Sequence, residues 1–141
     1  MSAVTVIETT WEKDQVAIKS VRVPVFVEEQ QVPYDIDFDD FDAPAVHWLA
    51  YDADLIPVGT ARMLEDGHFG RMAVLKWSRK QGVGRLIMLS AIAYAAAAGM
   101  KNMFLHAQLP AMEFYQGLGF YSYGEVFNDA GMDHVAMRLD L

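Results

Sequence analysis

The chain has 141 residues, 53% of them hydrophobic, no cysteine, and a formal net charge of −8 from 19 acids against 11 lysines and arginines. That length and hydrophobic content suit one domain with a substantial core and exclude disorder, while the lack of cysteine excludes disulfides, thiolate metal sites and a cysteine nucleophile. The acidic balance argues against nucleic acid, whose phosphates the surface would repel.

Residues 4–8 read as a short strand. Residues 14–30 read as a helix, with Ile18, Val21 and Val25 at helical spacing and Pro24 marking a kink or an early break. Residues 31–44, acidic and punctuated by Pro33 and Pro44, read as a long loop. Its Asp35, Asp37 and Asp39 alternate like the start of a calcium loop, but Asp40 stands where such a loop needs glycine and Val46 where it needs glutamate, which excludes an EF-hand. Residues 46–52 and 58–64 form a hairpin by their spacing, and residues 68–75 add a third strand to an antiparallel meander. A helix over residues 82–98, ending at Gly99 and ~25 Å long, crosses the sheet and returns the chain for a parallel strand at 102–107.

Pro110 opens a helix over 111–118 that Gly119 ends, and two strands, 120–127 and 132–141, close the chain around the turn 128–131. No repeat or linker interrupts this order, so residues 1–141 are expected to form a single mixed α/β domain. The longest apolar run, 86–98, is too short to span a bilayer, and the N-terminus lacks a signal-peptide pattern. The expected location is cytoplasmic, away from membranes.

The stretch Arg79-Lys80-Gln81-Gly82-Val83-Gly84-Arg85 stands between an apolar strand and the long helix. A glycine loop entering a helix presents unpaired N–H groups at the positive end of the helix dipole, and two glycines let a phosphate approach the backbone. A strand-to-helix turn needs glycine on steric grounds alone, so the charge map matters. Residues 67–112 hold six lysines or arginines and no acid, in a chain of nineteen acids. An acid-free basic segment around such a loop suits a small bound anion.

Arg79-x-x-Gly82-x-Gly84 after Arg71-Met72-Ala73-Val74, followed by Phe114-Tyr115-x-x-Leu118-Gly119-Phe120, resembles the GNAT superfamily of acyl-CoA-dependent N-acetyltransferases. Phe26-Val27-Glu28-Glu29-Gln30 and Gly124-Glu125-x-Phe127 with His134 are similar to its small bacterial branch. The resemblance implies a mixed, mostly antiparallel sheet flanked by helices, with parallel strands splayed at the coenzyme A site. Acetyl-CoA is the implied cofactor. Its pyrophosphate would meet the backbone from Gln81 to Arg85, with Arg79 and Lys80 adding charge, and its pantetheine arm would lie beside Met72, Ala73 and Val74 near Phe114. Gln108 stands where the family commonly has Asn.

The family's proton donor maps to Tyr115, although packing between Phe114 and Phe120 would explain a tyrosine there equally well. His68 is the leading candidate for the base, with Glu29, Glu125 and His134 expected on the acceptor side. The four histidines have no metal-ligand spacing, so no metal is expected. The acceptor is a small amine, expected to be cationic because Asp35, Asp37, Asp39, Asp40 and Asp42 crowd a loop that borders the acceptor cleft in this fold. A non-catalytic acyl-CoA sensor is the alternative. The resemblance also allows a homodimer.

Overall fold

The computed structural model describes residues 3–141. Strand β1 (Thr5–Thr10) runs into helix α1 (Trp11–Arg22), which starts where the Thr10 side chain accepts the Lys13 N–H at 3.2 Å, an N-cap bond. The helix expected to run to residue 30 stops being α-helical before Pro24, as Val23–Glu29 form a π-helical turn in which the Gln30 N–H reaches back to the Val25 carbonyl at 3.0 Å. Proline has no N–H to give the α ladder and its ring crowds the preceding turn, so the register widens by one residue. The segment expected as loop contains one turn of helix, α2 (Tyr34–Asp37).

Strands β2 (Val46–Tyr51), β3 (Pro57–Met63) and β4 (Phe69–Val74) form the expected meander and, with β1, an antiparallel sheet in the order β1-β2-β3-β4. Helix α3 (Val83–Ala97) crosses it and buries Val83, Ile87, Met88, Ala91 and Ala95, successive members of one helical stripe. It lies close: a Cβ on Gly59 would come within 2.9 Å of both Ile87 and Val83. Strand β5 (Asn102–Gln108) pairs antiparallel with β7 (Met132–Asp140), and β7 with β6 (Tyr121–Asp129), in the order β5-β7-β6. Between them, the expected helix over 111–118 shortens to α4 (Met112–Gln116), because Pro110 sits in a 3-10 turn, Leu109–Ala111.

The two sheets join at one parallel bridge, His68 to Phe104, reinforced by the Phe104 N–H donating to the Gly67 carbonyl at 3.1 Å. Beyond it β4 and β5 diverge. Trp48, Phe69, Met88, Met103 and Met137 are fully buried in the core that both sheets share, and unbranched methionine fills the uneven space where sheets part.

The loop aspartates are not free charges. Arg22, 1% exposed, pairs with Asp37 at 3.2 Å and Asp42 at 2.6 Å; Arg62 pairs with Asp39 at 2.6 Å and Asp42 at 2.8 Å; Arg71 pairs with Asp39 at 3.2 Å and Asp37 at 3.3 Å. Three arginines thus neutralise three of the five aspartates, and of the five only Asp35 and Asp40 are exposed. Low-dielectric burial requires this pairing, since an unpaired buried carboxylate is costly.

Candidate active site

The divergence of β4 from β5 opens a cleft of about 630 Å³. Its shape comes from a β-bulge: Gly59 pairs with Val74 and Thr60 with Ala73, but Arg62 already pairs with Gly70. Arg71 therefore adopts φ 50, a left-handed conformation uncommon outside glycine. Its guanidinium is held by the Asp37 carbonyl at 3.0 Å, the Ile36 carbonyl at 3.3 Å and Asp39, which ties the bulge to the α2 wall.

At one end of the cleft α3 begins on Gly82, whose φ of 82 only glycine adopts freely, with no side-chain cap and no acid in its first turn. Its leading N–H groups are therefore available to an anion. Lys80 and Arg85 are exposed beside them, Gln81 lies in the same loop with its amide 3.4 Å from the Trp77 carbonyl, and Val83 turns its side chain into the core and offers backbone alone. Gly84 lines the cleft, where a Cβ would touch Met72 at 3.6 Å and Phe114 at 3.7 Å. Met72, Ala73 and Val74 form the adjoining wall.

Arg79 is less mobile than its motif suggests. Its Nε donates to the Val74 carbonyl at 2.8 Å, and its two Nη atoms donate to the two Glu29 oxygens at 2.7 Å each. Glu29, expected with the acceptor, belongs instead to this end, because the π-helical turn carries it to the end of β4; the Arg79 hydrogen bonds hold its carboxyl below the usual range. Glu125 also departs from expectation: it sits in the bulge of β6 between Tyr123 and Phe127, exposed and outside the cleft lining.

Tyr115, on α4, faces the cleft with its ring edge-on to Phe114 at 5.1 Å and Phe120 at 6.0 Å. Packing and access to the cleft thus coexist. Burial pushes its phenol up to about 12, so its proton stays on. Gln108 also lines the cleft and donates to the Gln30 side chain at 3.3 Å.

The other end is built from rings. His68 stacks on Phe104 at 4.7 Å and lies 4.7 Å from His106; His106 meets Phe127 edge-on at 5.1 Å; Phe127 stacks on His134 at 5.8 Å. The His134 Nδ1 lies 2.8 Å from the Met132 carbonyl, which makes Nδ1–H the donor. Burial, then neighbouring His106, pulls the His68 pKa down; burial, then His134, does the same at His106. Both are neutral bases at neutral pH.

The family described as Acetyltransferase (GNAT) domain matches residues 17–141. The chain belongs to the GNAT acetyltransferase family. It is 38% identical over 124 residues to the uncharacterized N-acetyltransferase YjcF of Bacillus subtilis, covering 85% of this chain and 88% of that one. It is 33% identical to Protein ElaA of Escherichia coli over 89% of this chain and 86% of that one. The crystal structure of E. coli ElaA superimposes with a TM-score of 0.86 over 98% of this chain and all of that one, at 27% identity. An acyl-CoA N-acyltransferase from Pseudomonas aeruginosa gives 0.85 over 97% and 99% of the two chains, at 25% identity.

As a GNAT N-acetyltransferase, the protein uses an acyl-CoA, which supplies the acyl thioester. The uncapped α3 terminus and the absence of a Cβ at Gly84 fit its phosphates. His68, Gln108, Tyr115 and His134 meet in this cleft, and two further residues that sequence reasoning passed over join them, His106 and Asp129. His106 had a signal: Phe104, His106 and Gln108 alternate with the buried Met103, Leu105 and Ala107, which puts them on one strand face. Among the described residues no helix is long and apolar enough to cross a membrane, and no group of three acids or histidines could hold a metal.

Proposed function

We propose that the GNAT enzyme transfers the acetyl group of acetyl-CoA to the amine of a small acceptor by direct attack on the thioester. One observation carries this: a single cleft joins an anion-receiving helix terminus to a protonated phenol and a neutral imidazole. Lys80 and Arg85 with the backbone from Gln81 to Gly84 receive the phosphates, while the Met72 to Val74 edge aligns the arm. His68 takes the proton of the incoming ammonium, because its depressed pKa keeps it neutral to below the ordinary ~6.5.

Tyr115 acts on the departing sulfur. A phenol near 12 is too weak an acid to protonate a thiolate of pKa ~8.5 outright, so its contribution is a hydrogen bond to developing negative charge. Tyr115→Phe is therefore expected to lower kcat ~10²-fold, the low end of general-acid effects, with little change in the acetyl-CoA KM. Thiol-release kinetics on the variant check this, and undiminished kcat would contradict the assignment.

The acceptor we favour remains cationic, such as a polyamine or amino sugar, but on different residues from those the sequence suggested. Asp37, Asp39 and Asp42 are neutralised by arginine, whereas Asp129, the cleft-lining carboxylate without an arginine partner among the described residues, stands at the acceptor end. It is exposed there, where it favours a positively charged amine.

A further inference from the structure

We propose that His106 relays the acceptor's proton from His68 to solvent, so that the base of the reaction is a pair of imidazoles; this rests on the transferase reading above. His68 is half-buried in the cleft wall, where Phe104 covers one ring face. His106 lies 4.7 Å from it between ring centroids, on the strand across the divide, and is exposed to solvent. Among the described residues neither ring has a hydrogen-bond partner, whereas His134 is committed to the Met132 carbonyl. A proton on His68 therefore has His106 as its ring-lined way out.

Charges of both signs flank each ring. Around His68 lie Arg62 and Arg71, which oppose a positive imidazole, and Asp66, which favours one. Around His106 lie Asp129, which favours the charged form, and His134, which opposes it. Burial also weighs against charge at both, but His106 is the more open to water. His106, the more open of the two rings, is where the proton reaches water.

The chemistry balances. The acceptor enters as an ammonium, one N–H bond breaks, and that proton goes to a ring nitrogen of His68, whose other ring proton passes through an intervening solvent molecule to His106 and then to bulk water. The freed lone pair forms the new N–C bond as the C–S bond breaks. A second amine proton ends on the thiol, leaving one proton released per turnover.

The test uses the full chain with acetyl-CoA and an accepted amine. His106→Ala is expected to lower kcat ~10-fold or more with little change in acceptor KM, and added imidazole, entering the space opened to solvent, is expected to restore much of the loss as its neutral fraction rises with pH. His106→Asn, which fills that space without a transferable proton site of suitable pKa, is expected to be as slow and insensitive to imidazole. Unchanged acetyl-CoA affinity in each variant shows that the cleft is intact. Full activity in His106→Ala beside an inactive His68→Ala would overturn the relay alone. Loss that imidazole does not touch would make His106 a wall of the cleft and overturn it too. Full activity in His68→Ala would remove the base itself, and the relay with it.

Discussion

Gly84→Asp is expected to weaken coenzyme A binding at least ~100-fold in a protein that stays folded. The Cβ would make only ordinary contacts, 3.6 Å to Met72 and 3.7 Å to Phe114, so the fold gives no reason to fail. A carboxylate in the first turn of α3 even suits the helix dipole. It would, however, occupy the space and field where phosphates are received, in a segment that otherwise holds no acid between residues 67 and 112. Gly82→Asp is a poorer test, because φ 82 strains any side chain there. Calorimetric affinity equal to that of the parent would contradict the phosphate site, whereas loss of binding with an unchanged Tm supports it.

Arg22→Ala is expected to cost ~3–5 kcal/mol of stability, since it strips a guanidinium from two carboxylates that are themselves buried. Arg22 also stacks on Phe38 at 4.4 Å and bonds the Asp37 carbonyl, so packing and a backbone partner are lost together. Urea denaturation gives the value, and a loss below ~1 kcal/mol would show that the network is dispensable. The pH dependence has a mixed sign. Burial would raise the Asp39 and Asp42 carboxyls, but Arg62 at both, with Arg71 at Asp39 and Arg22 at Asp42, holds them low, so their contribution is complete above the ordinary carboxylate pKa and fades as pH falls through the lowered one. Burial wins at Asp37, which is raised despite Arg22 and Arg71 and detracts from stability as it ionises.

The meander, α3 and the closing hairpin were legible because strand and helix periodicities are local properties. What was not legible depends on distant partners. Asp37, Asp39 and Asp42 looked like a solvated acidic loop, since the arginines that neutralise them lie fifteen to thirty-four residues away in the chain. Glu29 looked like an acceptor contact because the turn to π-helix at Pro24, which changes where every later side chain points, leaves no periodic trace over seven residues. His68 was visible as an isolated candidate base, but its pairing with His106 exists only because β4 and β5 meet at a single bridge.

Mixing the protein with acetyl-CoA and matched panels of cationic, neutral and anionic amines tests the central claim most directly, with thiol release and the acetylated amine both quantified. The account predicts thiol and acetylamine in equal amounts, fastest for small cationic amines, with an acceptor KM that rises with salt as charges at the cleft mouth are screened over ~8–10 Å. No acetylamine from any amine, in a protein that still binds acetyl-CoA, would contradict transfer. A fastest substrate that is anionic would contradict the acceptor assignment while leaving the transferase chemistry standing.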